Sequence, residues 1–273
     1  MNKYIAEIGW NFLGDLDLAK KMVDAAATAG ANVIKFQYWN PDNLTEGAWD
    51  EDGRREIYDK AYLTKDKISK LEDMVAQNNC DFLLSVFSLE GAKYINSLGL
   101  SSVKIPSHES YNLGLIDYCL QNFESIYISV GACTEQELKQ VLDLTENSQK
   151  NICLMHCVSS YPLDNSNANL KRVGMLKSLT KHTVGYSDHT ESLLAPSIAL
   201  AQGACVIEKH FTIDHDLPGR DNKFALDGPA FEEMMGFCLQ TEDLLTWKGM
   251  SFQNIESDVV ANYRGRWAKE SDS

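Results

Sequence analysis

Apolar, β-branched runs recur along the chain, and each is followed by a stretch of helical periodicity. The runs are Tyr4–Ile8, Asn32–Phe36, Asp81–Val86, Ser102–Ile105, Ser125–Val130, Ile152–Cys157, His182–Tyr186 and Cys205–Lys209. Helical patterns fall near 15–29, 64–79, 90–98, 112–121, 134–146, 168–179, 191–202 and 229–246. Strands that alternate with helices predict a parallel sheet. Eight βα units in 273 residues predict that the sheet closes into a (β/α)8 TIM barrel. Helix-start signals agree: Thr134 precedes Glu135 and Glu137, and Thr64 precedes Asp66, each reading as an N-cap with an acidic first turn. Gly30 closes the Ala-rich stretch 22–29 as a C-cap. Residues 40–62 form a polar excursion read as a long βα loop, the kind of segment that carries function in barrels. The barrel is expected over residues 1–250, with 251–273 as a short, partly disordered C-terminal extension.

Composition narrows the choice of function. A net charge of −14 argues against a nucleic-acid binder, because phosphate backbones need a basic face. A small anionic substrate stays open, since a few lysines in a cleft set the local field. No apolar run approaches the roughly 20 residues a spanning helix needs, and the opening MNKYIAEIGW lacks an apolar signal core. The seven cysteines are scattered and odd in number, which points to a reducing, cytoplasmic setting. Cys153 and Cys157 share one strand face and read as core.

In a TIM barrel the active site is built on the C-terminal ends of the strands, so the residues there are the candidates. In chain order they are Glu7; Lys35 and Gln37; Ser85 and Ser88; Lys104, Ser107, His108 and Glu109; Ser129 and Gly131; His156, Ser159 and Tyr161; Ser187, Asp188 and His189; Glu208, Lys209 and His210. Every strand end is polar although the strands are apolar. Lys35 and Lys104, with the hydroxyls of Ser107, Ser129 and Ser187, suit a phosphate or carboxylate. His189 and His210, each at the end of a strand, suit a divalent metal with open positions. Glu7 and Glu109 are candidates for general acid and base, and Asp221 could bond a polyol. His182 reads as structural, His215 as a loop residue, and His156 as either a core or a site residue.

Taken together, Glu7, Asn11, KFQ, KIPSHES, HC..SYP, GYSDHT and EKHFT, in this order over residues 4–247, resemble the sialic acid synthase (NeuB) family. The resemblance implies a metal-dependent condensation of phosphoenolpyruvate with an N-acetylmannosamine-like sugar, releasing phosphate and giving a nine-carbon 2-keto acid. It implies that His189 and His210 hold Mn2+, or Mg2+ or Co2+ in its place. It assigns Lys35, Lys104, Ser107, Ser129, Ser159, Tyr161 and Ser187 to phosphoenolpyruvate, Gln37, Glu109 and Asp221 to the sugar, and Glu7 to a proton. The chain departs from the family at Phe12, where a histidine is usual, and at Ser159, where asparagine is frequent. The resemblance covers the catalytic barrel, and the family's C-terminal antifreeze-like (SAF) domain, which supplies an arginine to a partner's sugar site, is expected to be lacking after Tyr263–Arg266. The expected partners are therefore the two small substrates and either a second copy or a separate lid protein, with no nucleic acid or membrane. Two other readings compete: an aldolase or lyase forming a Schiff base on Lys104 or Lys35, and a non-catalytic barrel that binds sugar acids.

Overall fold

The computed structural model describes residues 2–47, 50 and 53–267. Eight parallel strands close in sequence order: β1 (Lys3–Gly9), β2 (Val33–Tyr38), β3 (Asp81–Val86), β4 (Ser102–Ile105), β5 (Ser125–Ser129), β6 (Asn151–His156), β7 (Thr183–Asp188) and β8 (Val206–His210). β8 pairs back onto β1 with Glu7 opposite His210. The described helices are α1 (Leu16–Thr28), α2 (Arg54–Ala61), α3 (Lys65–Gln77), α4 (Leu89–Ser97), α5 (Leu113–Asn122), α6 (Glu135–Thr145), α7 (Lys171–Leu179), α8 (Ala195–Ala201), α9 (Gly228–Leu244) and α10 (Ser257–Asn262). The chain is thus the expected (β/α)8 barrel.

Strands of such a barrel are buried on both faces, so they read as continuous apolar runs rather than alternating ones. The two faces nevertheless pack against different partners. Ile5, Val33, Leu83, Tyr127, Cys153, Met155 and Val206 form a compact plug inside the barrel. Their neighbours Ala6, Ile34, Leu84, Ile126, Leu154 and Ile207 join the larger core against the helices. Gly185 belongs to the inner set. A Cβ there would lie 2.9 Å from the Val206 carbonyl oxygen and 3.1 Å from Cys153 Sγ, so only glycine lets the plug close at that point.

The caps at Thr134 and Thr64 follow the sequence signals, and Asp15 adds one that was not read from the sequence. Thr134 and Glu137 form a reciprocal capping box on α6, Thr64 accepts from the Lys67 amide at the start of α3, and Asp15 caps α1. Within residues 40–62, read above as loop, the chain forms α2. It is entered through Gly53 at φ 84°, and Ala61 is its buried residue. Its apolar residues Ile57, Tyr58 and Ala61 pack on Trp10 and Trp39, but a helix of 8 residues is too short for them to repeat as a periodic signal. Residues 48, 49, 51 and 52 of that segment lie outside the described residues. α8 is shorter than predicted because residues 191–194 form a turn in which Ser192 Oγ accepts from the Leu194 and Ala195 amides. In the C-terminal extension the described part includes the exposed α10, and residues 268–273 lie outside the described residues. Among the described residues no helix is long and apolar enough to cross a membrane.

Candidate active site

Above the apolar plug, the inner positions turn polar. The period of two along a strand carries Ile5 to Glu7, Val33 to Lys35, Leu83 to Ser85, Tyr127 to Ser129, Gly185 to Ser187 and Val206 to Glu208, and β4 adds Lys104. All of these side chains except Ser129 form one network, which Gln37 joins. Lys104 Nζ donates to both Glu208 oxygens at 3.0 and 3.1 Å. Lys35 Nζ lies 3.0 Å from Glu7 Oε2 and 3.4 Å from Glu208 Oε2, and donates to Ser85 Oγ at 3.0 Å. Ser187 Oγ donates to Glu208 Oε1 at 2.8 Å, and Gln37 Nε2 to Glu7 Oε1 at 2.5 Å. Ser129 Oγ is buried with no hydrogen-bond partner. Gly9, at φ +55°, lets the chain turn out of β1 here. A Cβ on it would press on both Gln37 Nε2 and Glu7 Oε1 at 3.1 Å.

The two carboxyls of this layer are driven apart. Burial alone would raise Glu208, but Lys104 and Lys35 outweigh it and hold the group well below the usual range. Glu7 is raised, by burial and by the charge of Glu208, against the opposing pull of Lys35. Lys104 is lowered by burial although Glu208 opposes the shift. Lys35, with carboxylates on two sides, is raised against its own burial.

His189 and His210 lie next to this layer, with ring centroids 5.8 Å apart. His210 is the last residue of β8, while His189 follows β7. His189 Nδ1 is 2.7 Å from the Val158 carbonyl oxygen, so Nδ1 carries the proton and Nε2 carries the lone pair. Burial pushes His189 down to about 4, and burial together with His189 pushes His210 well below its ordinary value. Both rings are therefore neutral near pH 7, as metal ligation requires. His210 Nδ1 is buried without a hydrogen-bond partner and lies 3.6 Å from Asp221 Oδ2. Among the described residues no three His, Cys, Asp or Glu groups form a ready-made metal cage. Two neutral imidazoles, one with an orphaned buried nitrogen, fit a divalent ion that completes its shell with water or substrate oxygens.

The remaining candidates ring the mouth. Ser107 and Ser159 share a 2.6 Å hydrogen bond. Tyr161 packs its ring 4.2 Å from His189 and 5.9 Å from His210. Asp221 is pushed up to about 6 by burial and by the charge of Glu7. Its loop is anchored by its neighbour Asn222, which accepts from Thr212 Oγ1 at 2.6 Å and donates to the Pro218 and Asn11 carbonyls. Glu109 sits in a 3-10 turn at the end of β4 and accepts from Asn112 at 3.2 Å. Beside these, Arg220 donates to the Tyr161 carbonyl at 3.1 Å, and Phe224 packs 5.1 Å from His210. Sequence reasoning missed both. Their one signal was closeness in the chain to Asp221.

Several strand-end residues face away from the site. His156 donates from Nε2 to the Ala168 carbonyl at 2.8 Å and stacks on Tyr186, so it belongs to the helix-facing core. Asp188 and Lys209 pair at 2.6 Å, out of phase with the inner positions Ser187 and Glu208. Ser88 caps α4. His182 hydrogen-bonds the Thr145 carbonyl, and His215 that of Ala225.

A family model, described as the NeuB family, matches residues 22–248. A Campylobacter jejuni N,N'-diacetyllegionaminic acid synthase is 36% identical over 258 residues, 88% of this chain and 75% of that protein. A Legionella pneumophila protein of the same name is 32% identical over 88% of this chain and 72% of its own length. Among solved structures, an N-acetylneuraminic acid synthetase from Leptospira borgpetersenii, in complex with citrate, superposes with a TM-score of 0.89 at 28% identity. That match covers 98% of this chain and 93% of the other.

Proposed function

Because this chain belongs to the NeuB family, we propose that it is a sugar acid synthase joining phosphoenolpyruvate to an open-chain amino-sugar aldehyde of the N-acetylmannosamine type. The products are a nine-carbon 2-keto acid and inorganic phosphate. One observation carries the reading: a buried layer holding Lys35 and Lys104 lies against two neutral imidazoles 5.8 Å apart.

On this reading Lys35 and Lys104 receive the phosphate and carboxylate of phosphoenolpyruvate, with Ser107, Ser129, Ser159, Ser187 and Tyr161 donating around them. The two ammonium groups are held by Glu7 and Glu208 in the free protein, and the multiply charged ester competes for them. The unpartnered Ser129 hydroxyl is the donor that the ester would engage without breaking an existing bond. Gln37, Glu109 and Asp221 hold the sugar hydroxyls. A divalent ion held by His189 and His210, Mn2+ in the first instance, supplies Lewis-acid polarisation of the aldehyde. The enol carbon C3 attacks the aldehyde carbon, forming the new C–C bond, and the aldehyde oxygen takes a proton. Water adds at C2 and gives its proton to Glu7, whose raised pKa suits it to accept one. The C2–O bond to phosphate then breaks, phosphate leaves with the electron pair and takes the C2 hydroxyl proton as the ketone forms, and the proton received by Glu7 balances the one taken up by the aldehyde oxygen.

The Schiff-base reading draws support from the lowered pKa of Lys104. Against it, the contact with both Glu208 oxygens favours the ammonium form of that amine, which is no nucleophile. The decisive measurement is phosphate release from phosphoenolpyruvate, with Mn2+, against a panel of N-acetylated and deoxy amino sugars. Saturable release with at least one sugar is expected. It should be abolished by a chelator and in His189→Ala, while Lys104→Ala weakens phosphoenolpyruvate binding more than sugar binding. No release with any sugar, or activity trapped by borohydride, would overturn the proposal.

A further inference from the structure

The proposed reaction leaves one buried ion pair without a role. Asp188 and Lys209 are register partners on β7 and β8, with almost fully buried side chains whose charged ends are 2.6 Å apart. The next residue in the chain after each is an imidazole, His189 just past β7 and His210 at the end of β8. The pair lies on the opposite face of the sheet from the substrate-facing layer, so neither member can touch a ligand in the barrel. Asp188 Oδ1 accepts from the Tyr186 hydroxyl and from the Thr190 amide, both at 2.8 Å. Lys209 Nζ donates to the Thr190 carbonyl and, at 3.4 Å, to that of Ser192. The residues on both sides of His189 are therefore tied to the residue that precedes His210.

A buried ion pair is a poor stabiliser, because an apolar pair of the same volume often serves as well or better. Stability is thus an insufficient reason for charges here, whereas directional bonds to both flanks of His189 fix geometry. We propose that Asp188 and Lys209 are positioning residues that hold the ends of β7 and β8 so that the two imidazoles meet on one divalent cation. The proposal rests on the metal reading given above.

The test is an Mn2+ titration of the full chain, free ion followed by electron paramagnetic resonance, with thermal melting in parallel. The variants are Asp188→Asn/Lys209→Met, His189→Ala and His210→Ala. The double variant removes both charges together, so no lone buried charge remains. It is expected to melt cooperatively near the parent temperature and to bind Mn2+ about 10–100-fold more weakly, the usual range for outer-shell partners. A folded double variant with parental Mn2+ affinity overturns the positioning role. If it does not fold, Tyr186→Phe decides, since it removes a single bond to Asp188: weakened Mn2+ binding supports the role, and parental affinity overturns it. Should the two histidine variants bind Mn2+ like the parent, the metal reading itself falls. Should they lose Mn2+ while the double variant keeps it, only the positioning role falls.

Discussion

Glu208 is the residue on which the inner layer converges. It accepts two bonds from Lys104 and one from Ser187, and lies 3.4 Å from Lys35. Glu7 faces a single ammonium group at 3.0 Å. Removing one partner of a buried charge pair strands the other, at a cost of about 3–5 kcal/mol. Glu208→Gln leaves two ammonium groups short of a counter-charge and Glu7→Gln leaves one. Glu208→Gln is therefore expected to lower the unfolding free energy by about 3–5 kcal/mol, and Glu7→Gln by less. Urea denaturation of the two variants checks this, and equal losses would show that Glu208 is not the hub. The residue types of this layer were legible in the chain as polar strand ends. Their mutual pairing was not: Lys35 and Lys104 read as free anion binders, whereas each stands against a carboxylate. Lys104 and Glu208 are 104 residues apart, and no local pattern links them.

At the scale of elements, all eight strands and the eight helices that follow them were written in the periodicity. α2 was hidden because its 8 residues are too few for its apolar positions to repeat as a periodic signal, and a left-handed glycine precedes it. The inner and outer phases of the strands were hidden as well. Both faces of a barrel strand are buried, so apolarity marks neither. That ambiguity left His156 open and grouped Asp188 and Lys209 with the inward residues. Gly185 is where the two phases are most tightly constrained, since a Cβ would meet the Val206 carbonyl and Cys153 Sγ together. Gly185→Ala is expected to cost about 1–3 kcal/mol, the usual range for overpacking a filled core. A thermal melt reads the effect, and an unchanged transition would mean that β7 and β8 can separate without loss.

For the whole molecule, closure of the barrel is the functional event. Pairing of β8 with β1 sets Glu7 opposite His210, and so brings the proposed proton acceptor to the proposed cation site from opposite ends of the chain. A ligand bound only by the closed form stabilises it by mass action. Mn2+ at a hundred times its dissociation constant should raise the unfolding free energy by about 2.7 kcal/mol. A chelator should reverse the gain, and a His189→Ala/His210→Ala variant should not show it; equal stabilisation of parent and variant would place the ion elsewhere. The net charge of −14 does not decide the sign of the substrate, because the field inside the barrel is set by its own inner layer, where Lys35 and Lys104 stand beside Glu7 and Glu208, rather than by the surface.

The amino-acid order by itself determined the βα repeat, its closure into a barrel, and the set of polar residues that the strands deliver to one end. Those are local facts, carried by periodicity and by the residue that follows each apolar run. Only the tertiary structure decided which carboxylate faces which lysine, which nitrogen of His189 keeps its proton, and which strand-end charges turn outward. Such properties depend on contacts between residues far apart in the chain and on which strand face meets the helices, and packing of the complete barrel sets both.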